Sequence, residues 1–149
     1  MSNDEFGCER WLPVVDWEGL YKVSDHGRVR SIDRIITQIS CQGRPCQRLL
    51  SGRILKQAHT GSRGYWSVHL SNCKRHKMVN VHHLVLEAFV SPRPVGMKAL
   101  HWDDNLDNNC LNNLRWGTLS DNHADALRNG GVPSEISRDA LGRYTWEGR

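Results

Sequence analysis

The sequence predicts an α+β fold in which a small antiparallel β-rich N-terminal module precedes a compact ββα core. Three observations carry that reading. Apolar and polar residues alternate in short runs as far as Asn80, as half-buried strands require. From His82 the period becomes helical. Beyond Pro94 a short strand, a long Asn/Asp-rich loop, a second strand and a helix follow in that order. At 149 residues the chain has the size of one ordinary domain, or of two very small modules sharing a core. The expected divisions are 9–80 for the β-rich module, 81–130 for the ββα core and 131–149 for a polar, partly ordered tail.

In the N-terminal module Trp11, Val14, Val15 and Trp17 supply apolar anchors, and Glu18-Gly19 reads as a turn. Residues 20–24 alternate like a strand. Asp25-His26-Gly27 supplies turn chemistry before a second strand over 28–31. Because strand side chains alternate, Arg28 and Arg30 fall on one face and Val29 on the other. Two arginines side by side repel unless an anion lies between them, which is a local hint of phosphate contact. Residues 37–52 are polar and rich in turn formers, and read as an irregular loop or loose hairpin. In Gly64 to Leu70, Tyr65, Ser67 and His69 face away from Trp66, Val68 and Leu70. A basic turn over 74–77 then leads to a returning strand over 78–81.

In the C-terminal half Leu84, Val85, Ala88 and Phe89 keep helical spacing until Pro92 and Pro94 stop the helix. Residues 98–101 form a short strand, and 114–116 its partner. A helix over 121–128 follows, with Thr118 or Ser120 as N-cap and Gly130 as its stop. Trp11, Trp17, Trp66, Phe89 and Trp116 are best read as core. Asn105, Asn108, Asn109 and Asn112 read as loop formers, because asparagine tolerates left-handed backbone and bonds its own main chain.

Composition narrows the function classes. No stretch approaches the roughly 18 apolar residues of a membrane span, and Met1 to Arg10 carries acids rather than an apolar run. A cytoplasmic protein with no membrane partner is therefore expected. The five cysteines are scattered and form no C-x-x-C pair, so a disulfide framework is not expected. Cys41 and Cys46, with Cys73 and His76, could assemble a structural Zn²⁺ site in space; free thiols are the plainer reading.

The distribution of charge says more than its sum. The net charge is +4, yet between Lys22 and Asn80 twelve basic residues face only two acids. Acids outnumber bases in the rest. Such segregation is the electrostatic footprint of a surface that neutralises phosphates, so nucleic acid is the expected partner.

The ββα unit suits a metal clamp. One strand ends in His101, the helix presents Asn122, and the Asn/Asp loop lies between them. Hydrolysing a phosphodiester needs a base to deprotonate water and a cation at the scissile phosphate. Histidine suits the first role and an amide or carboxylate oxygen the second, with a hard ion such as Mg²⁺.

From Val81-His82-His83-Leu84-Val85, through His101-Trp102-Asp103-Asp104-Asn105, to Asn113-Leu114-Arg115-Trp116-Gly117-Thr118 and Asn122, the chain resembles an HNH endonuclease of the His-Me finger superfamily, of the homing and phage-encoded type. The upstream stretch resembles a modular DNA-binding motif that commonly precedes such domains. It includes Glu18-Gly19-Leu20-Tyr21-Lys22-Val23-Ser24 and Gly27-Arg28-Val29-Arg30-Ser31. With Gly52-Arg53-Ile54-Leu55-Lys56 between them, the two matches cover most of residues 9–130.

The resemblance implies a ββα-metal nuclease core that hydrolyses double-stranded DNA with one divalent ion, Mg²⁺ or Mn²⁺, in a bacterial or phage-infected cell. His101 matches the general base. Asn113 matches the middle asparagine, which ties the loop to the strand, and Asn122 matches the helix residue that ligates the metal. The DNA-facing set is Arg28, Arg30, Arg34, Lys56, Arg63, Lys74, Arg75, Lys77, His82 and Arg115. His82 serves equally as a histidine satisfied by the fold, and Lys74, Arg75 and Lys77 equally as a solvated turn.

One departure matters. The family often carries Asp or Asn before the base as a metal ligand, whereas this chain has Leu100. Either Asp103 or a backbone oxygen compensates, or Asp125 joins from one turn after Asn122, or the ion is held weakly. A weakly active or inactive DNA-binding protein is the alternative. The sequence leaves monomer and homodimer equally open.

Overall fold

The computed structural model describes residues 8–72 and 75–130, together with two short paired segments, Ser137–Arg138 and Tyr144–Thr145. The rest of the expected tail lies outside the described residues. The architecture is α+β, as the sequence pattern requires. Strands β1 (Trp11–Pro13), β2 (Tyr21–Ser24) and β3 (Val29–Ser31) form an antiparallel sheet in the order β1-β2-β3. The Asp25-His26-Gly27 turn joins the last two, with Gly27 at a φ of 77° where only glycine is unstrained.

Of the two readings of residues 37–52, an irregular loop or a loose hairpin, the structure has the hairpin, in regular form and beginning earlier, at Arg34. β4 (Arg34–Ile39) pairs with β5 (Pro45–Leu50) in a register running from Arg34 opposite Leu50 to Ile39 opposite Pro45. The polar composition that reads as a loop reflects a ribbon with little core beneath it, since Ile35, Ile39 and Leu49 are each more than 60% exposed. A second three-stranded sheet comprises β6 (Ala58–Thr60), β7 (Tyr65–Ser71) and β8 (His76–Asn80). Tyr21 stitches the two sheets together: its hydroxyl donates to the Ser71 carbonyl at 2.8 Å and accepts from the Ser71 N–H at 3.0 Å.

Val81, expected in the returning strand, is the first residue of α1 (Val81–Phe89). The helix turns Val81, Leu84 and Val85 inward at the i, i+3, i+4 spacing of one face. They meet Val14, Trp17, Tyr21, Val23, Val29, Val68 and Leu70 in one hydrophobic cluster, to which Leu114 also belongs. Residues on both sides of Asn80 thus share a single core. Trp66, Phe89 and Trp116 pack against its edge.

β9 (Lys98–His101) and β10 (Leu114–Gly117) pair antiparallel, with His101 opposite Leu114 and Leu100 opposite Arg115. A single 3₁₀ turn (Leu111–Asn113) leads into β10. Helix α2 (Leu119–Arg128) opens on a full capping box, in which Thr118 accepts from the Asp121 N–H and the Asp121 side chain accepts from the Thr118 N–H. Among the described residues, no helix is long and apolar enough to cross a membrane.

Candidate active site and nucleic-acid interface

Strand β9 delivers His101 to the mouth of the 102–113 loop, and the residue is 6% exposed. Its Nε2 lies 3.2 Å from Asn109 Oδ1. The Tyr65 ring stacks at a centroid distance of 6.4 Å and His82 approaches edge-on at 5.2 Å.

The loop is held by its own asparagines and aspartates. Asn113, 7% exposed, donates through Nδ2 to Asp103 Oδ1 and to the Asn108 carbonyl, each at 2.8 Å. Its Oδ1 accepts from the Asp103 N–H, and its carbonyl from the Trp102 N–H. Trp66 pins the outer side of the loop by donating to Asp107 at 2.7 Å. The N-terminal module pins the inner side, through a bond from the Leu111 N–H to the Asp25 carbonyl at 2.8 Å.

The acidic candidates are committed elsewhere. Asp103 accepts from the Asn105 N–H, Asn108 and Asn113. Burial raises its carboxyl, but these bonds outweigh burial and hold it below the ordinary range. Asp125 is 2% exposed, and both its oxygens accept from arginines: Arg115 at 2.6 and 2.7 Å, Arg128 at 2.7 Å. Burial again raises the carboxyl and the two guanidiniums pull it below its usual value. Both arginines also lie over the Trp102 ring, with guanidinium carbons 5.1 and 3.6 Å from its centroid. Asp125 therefore fastens α2 to β10 and to the start of the loop, and the expectation of a free metal ligand there is corrected by its ion pairs.

Asn122 is different. It stands exposed in the first turn of α2, free of side-chain hydrogen bonds to other described residues. Leu100 is 4% exposed and packs beside Gly117, where a Cβ would come within 2.5 Å of its Cδ1 and 3.3 Å of Asp121. An apolar side chain thus fills the α2-facing position before the histidine. Among the described residues, no three His, Cys, Asp or Glu side chains converge to hold a metal. This donor set fits a weakly held ion that also draws on substrate phosphate, in the manner of Mg²⁺. It does not fit a closed site. For zinc, Cys41 is exposed and Cys46 half-buried, while Cys73 lies outside the described residues.

Among the expected phosphate contacts, Arg30, Arg34 and Lys56 line two adjoining open grooves. The smaller, of about 370 Å³, holds Lys22, Arg30 and Arg53. The larger, of about 820 Å³, holds Arg34, Arg48, Arg53 and Lys56. Arg30 lies 4.4 Å over Trp11 and Arg34 5.7 Å over Tyr21, so aromatic rings support both guanidiniums. Arg63 and Lys77 are exposed, and Arg75 is held over Trp17 with a bond to the Asp16 carbonyl. Lys74 lies outside the described residues.

Three expectations change. Arg28 finds its anion within the chain, in a two-pronged pair with Glu9, while Arg30 lies over Trp11 instead of sharing an anion with it. Arg115 is turned onto Asp125. His82, 3% exposed, is enclosed by Tyr65, His83 and His101 and cannot reach a phosphate. Burial first, then the two neighbouring histidines, push its pKa down to about 3, so it stays neutral.

Sequence reasoning missed four contributors. Arg48 and Arg53 were within the counted basic stretch, but no alternation rule placed them. Asn109 was one of several asparagines in a loop, and nothing in the spacing marked it as the partner of His101. Arg128 was legible, because it stands at i+3 from Asp125 on the same helix face.

Comparison with known proteins agrees with this architecture. Residues 9–71 match the NUMOD4 motif. The chain is similar to an HNH homing endonuclease. In particular, it is 31% identical over 120 residues to DNA endonuclease I-HmuI of Bacillus phage SP01, a match covering 80% of this chain and 59% of that protein. A solved structure described as DNA binding and cleavage by the HNH homing endonuclease I-HmuI superposes with a TM-score of 0.62 at 29% identity, over 83% of this chain and 60% of that one. The chain thus spans about three fifths of the relative it matches.

Proposed function

We propose that this chain is a DNA endonuclease that hydrolyses phosphodiester bonds, with His101 as general base. The observation that carries the reading is the seating of His101 at the end of β9. The ring is held by Asn109, and Asn113 ties its loop to the strand. His101 takes a proton from water, which attacks phosphorus in line; the bond to the 3′ oxygen breaks and that oxygen takes a proton from solvent, leaving 5′-phosphate and 3′-hydroxyl ends. Asn122 would hold a divalent ion, Mg²⁺ or Mn²⁺, which supplies charge stabilisation at the scissile phosphate. Arg30, Arg34, Lys56 and their groove neighbours neutralise the backbone of double-stranded DNA, which gives affinity and a steep loss of binding as salt rises. A cytoplasmic location, in a bacterial or phage-infected cell, belongs to the same proposal.

The test is cleavage of supercoiled plasmid and genomic DNA with Mg²⁺ or Mn²⁺, against EDTA and against His101→Ala. Metal-dependent cutting that His101→Ala lowers by about a hundredfold or more is expected. Nicked product indicates one active site per encounter, and linear product a dimer. Salt-sensitive binding with both substrates left intact in either metal would leave a DNA-binding protein and remove the catalytic reading. Leu100 is the observation that favours that alternative.

A further inference from the structure

The hydrogen bonds around Asn109 determine which nitrogen of His101 is free. The Asn109 amide has one orientation that satisfies both of its ends: Nδ2 donates to the Leu106 carbonyl at 3.3 Å while Oδ1 faces His101 Nε2 at 3.2 Å. Flipping the amide would set its oxygen against the Leu106 carbonyl oxygen, acceptor against acceptor. A carbonyl oxygen only accepts, so Nε2 must carry the hydrogen. The lone pair of the neutral ring is then on Nδ1.

Asn109 is itself seated by the N-terminal module. It is 6% exposed. A Cβ on Gly27 would lie 2.8 Å from Asn109 Cβ and 2.9 Å from its carbonyl oxygen, so the β2–β3 turn packs against it only because residue 27 is glycine. Gln57 holds that turn by donating to the Gly27 carbonyl at 2.7 Å. The contact runs from a turn of the NUMOD4 stretch, through Asn109, to the imidazole.

We propose that Asn109 is a positioning residue that holds His101 as its Nε2–H tautomer, and that Nδ1 is the atom which takes the proton from water. This deepens the nuclease reading and rests on it for the second clause only. The first clause concerns the free protein and is measured without substrate. Holding the wrong tautomer costs a catalytic histidine heavily even when its position is kept.

The experiment is ¹⁵N–¹H correlation of the histidine side chains in the full-length, metal-free and DNA-free chain, at a pH where the imidazoles are neutral. His101→Gln assigns the signal. A single Nε2–H tautomer for His101 is expected in the wild type. Asn109→Leu, similar in size but without an acceptor, is expected to give a mixture or the Nδ1–H form. Asn109→Asp, which keeps an acceptor oxygen towards Nε2 but loses the donor to the Leu106 carbonyl, is expected to retain Nε2–H where it folds. An Nδ1–H tautomer in the wild type overturns the proposal without any variant being needed, as does an unchanged tautomer in folded Asn109→Leu. In cleavage, Asn109→Leu is expected to lower kcat by roughly ten- to a hundredfold with little change in KM, and Asn109→Asp to restore most of it. If the tautomer behaves as stated and no DNA is cut, the nuclease reading fails while the positioning of His101 stands.

Discussion

His101 and Leu100 are neighbours in the chain, yet strand alternation sends them to opposite faces of the β9–β10 ribbon, and the two faces are built very differently. The His101 face is over-determined: the imidazole has a hydrogen-bond partner, ring neighbours on two sides, and a loop fastened through Asn113, Trp66 and the Asp25 carbonyl. The Leu100 face, towards α2, places an apolar side chain beside Gly117, ties Asp125 up with two arginines, and leaves Asn122 as an uncommitted oxygen donor. On the proposed function, the base side of the site is thus preorganised and the cation side sparse.

Perturbations rank by how deeply each part is built in. The largest loss of stability is expected from Asp125→Ala, which leaves two guanidiniums without their carboxylate. Removing one member of a buried pair costs about 3–5 kcal/mol. Both arginines here keep more than a third of the side chain exposed, so urea denaturation should read nearer about 2–3 kcal/mol. Asn113→Ala should follow at about 2 kcal/mol, because it strands the Asn108 carbonyl and the Asp103 N–H. It should also lower the cleavage rate, since it frees the loop that carries Asn109.

A smaller effect is expected from pH. The pKa of His82 is near 3 in the folded chain, against about 6.5 unfolded. The unfolded state therefore binds the extra proton first, and the stability gained by keeping the ring neutral is complete above about pH 6.5. It is lost as pH falls towards 3, by at most about 1.4 kcal/mol per unit. Denaturation at pH 7 and pH 5 should show that slope, and His82→Leu should flatten it. Least affected should be DNA binding by Arg34→Ala or Lys56→Ala: each should reduce the slope of log affinity against log salt by about 1 while leaving the fold intact.

Much of this contrast was written in the sequence. The ββα unit could be read because its strand, loop and helix each carry a local signal, from Lys98–His101 to the Thr118 capping box. Asn113 and Asn122 had distinct places in that pattern. Leu100 stood out only against the Asp or Asn that the family resemblance leads one to expect before the histidine. Side-chain commitments made across the fold could not be read. The pairing of Asp125 with Arg115 joins a helix to a strand, and the contact of Gly27 with Asn109 joins residues 82 positions apart in the numbering. The β4–β5 hairpin was legible only beside an irregular loop, and its regularity not at all, because strand alternation reports burial and this ribbon buries little on either face.

The central claim, a built base beside a sparse cation site, is tested most directly by the Mn²⁺ dependence of single-turnover plasmid cleavage in the wild type and in Leu100→Asp. In the wild type, cleavage is expected to require Mn²⁺ and to saturate only at high concentration, with half-saturation at least about tenfold lower once a carboxylate stands before His101. Tight saturation in the wild type, unchanged by Leu100→Asp, would mean that the cation site is complete without residue 100 and would contradict the account.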